Sequence, residues 1–245
     1  YIISIKGGLK MKLHYLGHSS FLIESKKGYR IVIDPYHLKV NKKYPEVSAE
    51  IVLITHEHPD HNGYWLIKPV KLQDKEIQPK TLKRTTNFVS SFEIKTSTND
   101  LIEFIAIPSF HDKFEGKKLG PNTIWTFYVD GIKITHCGDL GHLLKEQDLK
   151  IIGTTDILIA PISGGDYTIN FKEFLILMDQ LKSIVSIPVH YKTKYTPWIS
   201  DSLDVVDFPA IEKLDDYVLN LFTIPPIPKI YLFTEDIWDK IPEKI

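Results

Sequence analysis

The segment Thr55–Gly63 reads T-H-E-H-P-D-H-N-G. His56, His58, Asp60 and His61 therefore place four potential metal ligands within six positions. His56 and His58 are two apart, so they share a face in an extended chain but point to nearly opposite sides of a helix. They directly follow the apolar run Ile51–Ile54. A run of that length reads as a buried strand, so extended geometry is expected. Pro59 then stops the extension, and Asn62-Gly63 suits a turn into a helix start. Neutral nitrogen and anionic oxygen donors on one loop suit Zn²⁺ or a similar divalent ion.

Three more candidates stand at the ends of expected strands. His111 follows a strand over 101–107 in P-S-F-H-D. Asp139 follows Ile132–His136 in H-C-G-D-L-G-H, and His190 closes a strand over 184–189 in I-P-V-H-Y. A lone His at a strand end is commonly a hydrogen-bonded rim residue. Five His and two Asp together are what two adjacent metals sharing one carboxylate require. Other residues are weaker candidates. His142 and Lys192 flank ligand-bearing loops and could touch substrate. Lys192 shares the face of His190 if the chain stays extended there. Lys113, Lys117 and Lys118 could line the same mouth, or be solvated loop residues. Asp166 and Tyr167 lie on a Gly-rich loop that could border the pocket. Cys137 reads as a small buried residue rather than a nucleophile.

Composition bounds the setting of this chemistry. The chain has 245 residues, 43% of them hydrophobic, which is enough to bury a core without staples. Its 30 Lys+Arg balance 31 Asp+Glu for a net charge of −1, so gripping nucleic-acid phosphates is not its expected main work. No apolar run reaches the ~18 residues of a membrane span. One Cys excludes a disulfide framework and points to a reducing, cytoplasmic interior.

The elements that must hold these residues read as strands with tight turns, giving way later to alternating α and β. Strands are expected over 12–16, Ser20–Glu24, Arg30–Ile33 and Ile51–Ile54, then over 101–107, 123–129, Ile132–His136, 156–160 and 184–189. Asp130-Gly131 between two β-rich runs predicts a two-residue hairpin turn. Asn170 predicts the cap of a helix to about Lys182, with Phe171, Phe174, Leu175, Met178 and Leu181 on its apolar face. Residues 64–98 look least regular. The tail is irregular to Pro209, reads as helical to Phe222, and ends in a strand near 230–233. The organisation expected is one domain over 11–245 with two variable insertions. Residues 1–10, ahead of Met11, are expected to be an N-terminal extension.

T-H-E-H-P-D-H resembles the signature of the metallo-β-lactamase superfamily. G-H-S-S-F-L-I-E (17–24), G-P-N-T (120–123), H-C-G-D-L-G-H (136–142), P-I-S-G-G-D-Y-T-I (161–169) and I-P-V-H-Y-K-T (187–193) are similar to its small metal-dependent hydrolases related to ascorbate-6-phosphate lactonase. The resemblance runs in order over roughly 11–193. It implies an α/β four-layer αβ/βα sandwich with metals at one edge of two sheets. It implies that His56, His58 and His111 hold a first metal, that Asp60, His61 and His190 hold a second, and that Asp139 bridges them. It further implies an Asp34 that buttresses the metal loop, and a His18 in G-H-S-S suits a residue orienting a ligand carboxylate. A carboxylate does not stand at His58 as in flavodiiron proteins, and Pro-Ser-Phe-His replaces the Pro-Gly-His-Thr of thiolesterases.

The function expected is a dinuclear hydrolase whose metal-bridging hydroxide attacks a lactone, ester, amide or phosphoester. Asp60, Asp139, His142 and Lys192 are the expected catalytic residues. The alternatives are an RNA or nucleotide phosphodiesterase, and a non-catalytic metal-binding scaffold or sensor. Two divalent ions are the expected cofactors, with Zn first and Mn or Fe also fitting the donors. The expected partner is a small molecule, anionic if the lysines face it, with no membrane and no nucleic acid; a homo-oligomer is compatible with this reading.

Overall fold

A computed structural model of the chain describes residues 11–41, 43–83, 87–199, 211–220 and 225–245. The expected extension at 1–10 lies outside the described residues. The chain opens with β1 (Lys12–Gly17), β2 (Ser20–Glu24), β3 (Arg30–Ile33) and β4 (Ile51–Ile54). A small hairpin of β5 (Val70–Leu72) and β6 (Lys75–Ile77) follows, then β7 (Lys80–Lys83) and β8 (Ser90–Lys95). Next come β9 (Leu101–Phe110), β10 (Pro121–Val129), β11 (Ile132–His136), α1 (Glu146–Ile152), β12 (Ile157–Pro161), α2 (Phe171–Gln180) and β13 (Val185–Val189). The tail adds β14 (Ile211–Leu214), β15 (Val218–Asn220), β16 (Lys229–Phe233) and α3 (Glu235–Lys240). Among the described residues, one sheet runs β15-β1-β2-β3-β4-β7 and the other β14-β16-β13-β12-β11-β10-β9-β8.

The two sheets share one core. Leu13, Phe21, Ile31 and Leu53 from the first meet Phe104, Trp125, Ile159 and Ile187 from the second. Trp125 also donates its indole N–H to Ile54 O at 3.0 Å, tying the second sheet to the strand before the metal loop. β12 and β13 are buried along their whole length, as continuous apolar runs in a parallel pair should be. Their outer face is covered by α1 and α2, with Phe174, Leu177 and Leu181 packed on Leu158 and Ala160. The outer face of the first sheet is covered by loop residues such as Val47, Ala49 and Ile67. This is the α/β sandwich expected, with a thinner outer layer on the first sheet.

Local chemistry sets several boundaries. Asn170 caps α2 through a full capping box: its side chain accepts from Glu173 N at 3.0 Å, and Glu173 Oε2 accepts from Asn170 N at 2.8 Å. Asp130 and Gly131 both take positive φ, 55° and 83°, as the tight hairpin between β10 and β11 demands. Two expectations are corrected. The stretch read as helical toward Phe222 forms β14 and β15, because Ile211–Leu214 pairs with β16 and Val218–Asn220 pairs with β1. Residues 64–98, read as least regular, contribute a short 3₁₀ turn at Tyr64–Leu66 and four strands, including an edge strand of each sheet.

Strand direction explains where ligands gather. β3, β4 and β7 run parallel, as do β11, β12, β13 and β16. Parallel strands deliver all their C-terminal loops to one edge, the usual place for a site. Asp34, the Thr55–Gly63 loop, Asp139 and His190 follow strand ends of this kind. His111 follows β9, which is antiparallel to its neighbours β8 and β10 and so runs the same way as β11.

Candidate metal centre

Asp139 is the centre of the cluster and is fully buried. Its Oδ2 lies 2.9 Å from His111 Nε2, 3.0 Å from His190 Nε2, 3.2 Å from His61 Nε2 and 3.7 Å from His56 Nε2. Asp60 Oδ2 sits 3.7 Å from both His61 Nε2 and His190 Nε2. Metal-capable donors fall into overlapping groups within 4.8 Å: His56, His58 and His111; His18, Asp60, His61 and His190; and His56, His61 and Asp139. All seven residues expected as ligands are thus brought together. His18, expected to orient a carboxylate, stands 3.1 Å from Asp60 Oδ2 through Nε2.

The donors are aimed as ligands are. His56 Nε2, His61 Nε2 and both Asp139 oxygens are buried without a hydrogen-bond partner among the described residues. Burying so many polar atoms unpaired is expensive unless something satisfies them together. The opposite ring nitrogens are occupied instead. His61 Nδ1 meets Asp34 Oδ2 at 2.8 Å, His190 Nδ1 meets Ser163 Oγ at 2.9 Å, His56 Nδ1 meets Thr55 Oγ1 at 3.0 Å, and His111 Nδ1 donates to Tyr167 O at 3.2 Å. Partners on Nδ1 fix ring orientation and leave Nε2 for the ion, the standard arrangement around a ligating His. The residues fit divalent metals.

Charge in the cluster is strongly coupled. Burial alone would raise the Asp139 carboxyl, but His190, His61 and His111 hold it well below the ordinary range. Burial opposes the His61 cation too, yet Asp139, Asp60 and Asp34 push its pKa well above the usual value. His190, buried against Asp139 and Asp60, is raised to about 9. His56 moves the other way: burial and the neighbouring His61 lower it well below 6.5.

Residues without an assigned role in the motifs hold the ligands in place. Asp34 accepts from Thr55 N at 2.8 Å and Thr55 Oγ1 at 2.6 Å, besides its bond to His61, so it does buttress the metal loop. Asn122 accepts from Asp139 N at 3.1 Å while its amide donates to Ser109 Oγ and Cys137 O. Gly138 has φ +54°, and a Cβ there would lie 2.4 Å from Asn122 Oδ1, so no larger residue fits between strand and ligand. Asp112 accepts from four backbone N–H groups, of Phe114, Gly116, Lys118 and Leu119, and folds the loop after His111. His18, Asp34 and His190 all have positive φ, a backbone strain that recurs at functional sites. Trp238 of α3 closes over Gly17, where a Cβ would meet the indole at 2.3 Å, and stacks beside His18. In the sequence, Asn122 and Ser163 are marked only by lying in G-P-N-T and P-I-S-G-G-D-Y-T-I, and nothing marks Trp238.

Two expected catalytic residues are placed differently. His142 joins none of the metal-capable groups. Its Nε2 accepts from Phe110 N and its Nδ1 bonds to Leu143 O, so both ring nitrogens are spent on backbone. Lys192 is exposed, and the shared face with His190 does not exist because His190 takes φ 52° and ends the extended run. Lys113 and Lys118 are paired with Glu173 and Asp166, which lies on the Gly-rich loop. Cys137 is buried, and burial pushes its thiol pKa far up, as a packed structural thiol should be. A cavity of about 150 Å³ opens beside His56 and His58. No helix among the described residues is long and apolar enough to cross a membrane.

Comparison with known proteins agrees with this geometry. The family model of the beta-lactamase superfamily domain matches residues 12–190. The chain is 33% identical to a UPF0173 metal-dependent hydrolase of Nanoarchaeum equitans, over 75% of this chain and 85% of that one. This chain belongs to the metallo-β-lactamase superfamily. A second relative of the family, a UPF0173 metal-dependent hydrolase of Thermococcus kodakarensis, is 29% identical over 84% of this chain and 99% of its own. Among solved metallo-β-lactamase structures, a candidate Zn-dependent hydrolase of Thermotoga maritima superposes with a TM-score of 0.69 at 30% identity, covering 91% of this chain and 97% of that one. Metal-dependent hydrolase is the enzyme class these relatives share with this member of the superfamily.

Proposed function

We propose that this hydrolase uses two divalent metals and acts on a small substrate with a carbonyl or phosphoryl centre: a lactone, another ester or amide, or a phosphoester. The observation that carries this reading is the set of buried Nε2 and carboxylate atoms that converge on Asp139 at 2.9, 3.0, 3.2 and 3.7 Å, with His56 Nε2, His61 Nε2 and both Asp139 oxygens making no directed hydrogen bond, while the opposite Nδ1 atoms are tied. His56, His58 and His111 would hold one ion and Asp60, His61 and His190 the other, with Asp139 shared. When bound, two such ions supply Lewis acidity and a water acidified toward neutral pH. The chain's own residues do the positioning. Asp34, Ser163, Thr55 and the Tyr167 carbonyl set the His rings, His18 sets Asp60, and Asn122 sets Asp139. No Ser or Cys nucleophile is needed, in keeping with the buried Cys137. The His-rich donor set favours Zn, and the single Cys favours a cytoplasmic setting.

Elemental analysis of protein purified without chelator tests the metals. About two ions per chain are expected. A panel of lactones, esters and phosphoesters tests the reaction. Metal-loaded protein that turns over none of them, or binds a single ion per chain, would sink the reading.

A further inference from the structure

We infer that the cavity beside His56 and His58 receives the part of the substrate next to the scissile centre, and that Lys83 there selects substrates carrying a carboxylate or phosphate. The inference rests on the hydrolase reading above. The cavity is about 150 Å³, a size that admits a group as large as benzene. His56 and His58 are the two expected ligands in its lining, and the half-buried His58 is the one whose ring an occupant would reach, since His56 Nε2 is closed off. Ile54 and Pro121 offer apolar wall, suited to a short aliphatic or ring portion. Glu57 and Lys83 complete it with charge.

Strand pairing puts Lys83 there. It is the last residue of β7, whose partner in the parallel ladder is Ile54, immediately before the metal loop. Its Nζ bonds Glu57 Oε1 at 2.9 Å and lies 4.1 Å above the Tyr64 ring. The Glu57 side chain is 62% exposed. Such a solvated pair is weak, so a substrate anion can take over the ammonium at little cost. Glu57 does not become an orphan, because Asn62 Nδ2 also donates to its Oε2 at 3.2 Å. Lys113, Lys118 and Lys192 do not line this cavity, which Lys83 does.

Matched esters test the inference on the metal-loaded protein. 4-Nitrophenyl butyrate and mono-4-nitrophenyl succinate have acyl groups of similar length, and only the second is anionic. The wild type is expected to favour the succinate in kcat/KM. Lys83→Ala lowers that preference about tenfold, mainly through KM, because a hydrogen bond to a charged group is lost. Lys83→Arg keeps it, and Glu57→Gln raises it by freeing the ammonium. Calorimetric titration with succinate reads the same site without turnover, and Lys83→Ala should weaken binding by a similar factor. If neither these esters nor the panel of lactones and phosphoesters is hydrolysed, but succinate binding depends on Lys83, the hydrolase reading fails and the subsite stands. If both esters are hydrolysed and the preference ignores Lys83, the subsite is overturned and the hydrolase reading stands.

Discussion

The two halves of the metal centre are built differently. Asp60, His61 and His190 are braced from several directions: Asp34 on His61, Ser163 on His190, His18 on Asp60, and Trp238 behind His18. His56, His58 and His111 are held more lightly. His56 has Thr55, His111 has a backbone carbonyl, and the half-buried His58 side chain has no hydrogen bond among the described residues. The lightly held half is also the one that borders the cavity. Rigidity and access are thus separated across Asp139, which His rings of both groups approach. A site that must both fix its metals and admit a substrate can brace one side and open the other.

The strongest way to break this picture is to remove what the halves share. Asp139→Asn should drop metal content from about two ions per chain to one or fewer, with at least about a 100-fold loss of any hydrolytic activity. Two retained ions, measured by elemental analysis on folded protein, would show that Asp139 is not shared. Next is the brace. Ser163→Ala, which removes the partner of His190 Nδ1, should weaken the second metal about 10- to 100-fold in a competitive chelator titration and leave the first nearly unchanged. Equal loss at both would erase the distinction between the halves.

Protonation sharpens the comparison. In the metal-free protein the carboxylates keep His61 and His190 protonated near neutral pH, with His190 at about 9. His56 is lowered by burial and His58 by burial and the adjacent His111, so both are already neutral there. A metal can bind only deprotonated nitrogen. The second metal must therefore displace about two protons, from His61 and His190, while His56 and His58 give up none to the first. Raising the pH from about 7 to 9 should tighten the second ion steeply, with log affinity rising by up to about two per pH unit, and the first less steeply. Calorimetry in buffers of different ionisation enthalpy counts the released protons directly, and an equal count for both ions would contradict the assignment. The smallest effect is expected at Cys137. Cys137→Ala should leave metal content and turnover intact and cost only about 1 kcal/mol in denaturant unfolding, since the thiol only packs.

Much of the site was readable because ligand chemistry is local. His56, His58, Asp60 and His61 lie on one loop, and His111, Asp139 and His190 each mark a strand end. The misreadings have a common cause. Ile211, Leu214 and Tyr217 recur at helical spacing, yet the ladder to Ile230–Phe233 and to β1 overrode that period. Lys192 was expected to follow alternation from His190, but one left-handed residue cancels alternation. His142 looked free in a His-rich motif, and its nitrogens went to neighbouring backbone.

By itself the sequence determined the donor set, the buried parallel strands and the tight turns, because residue type, period and backbone freedom act over a few positions. Only the tertiary structure decided which histidines gather around Asp139, which His gains an Asp34 or a Ser163, and which lysine lines the cavity with His56 and His58. Those contacts join residues far apart in the chain, such as His61 with Asp34 and Gly17 with Trp238. Their partners are chosen by strand direction and packing, which no short stretch of sequence contains.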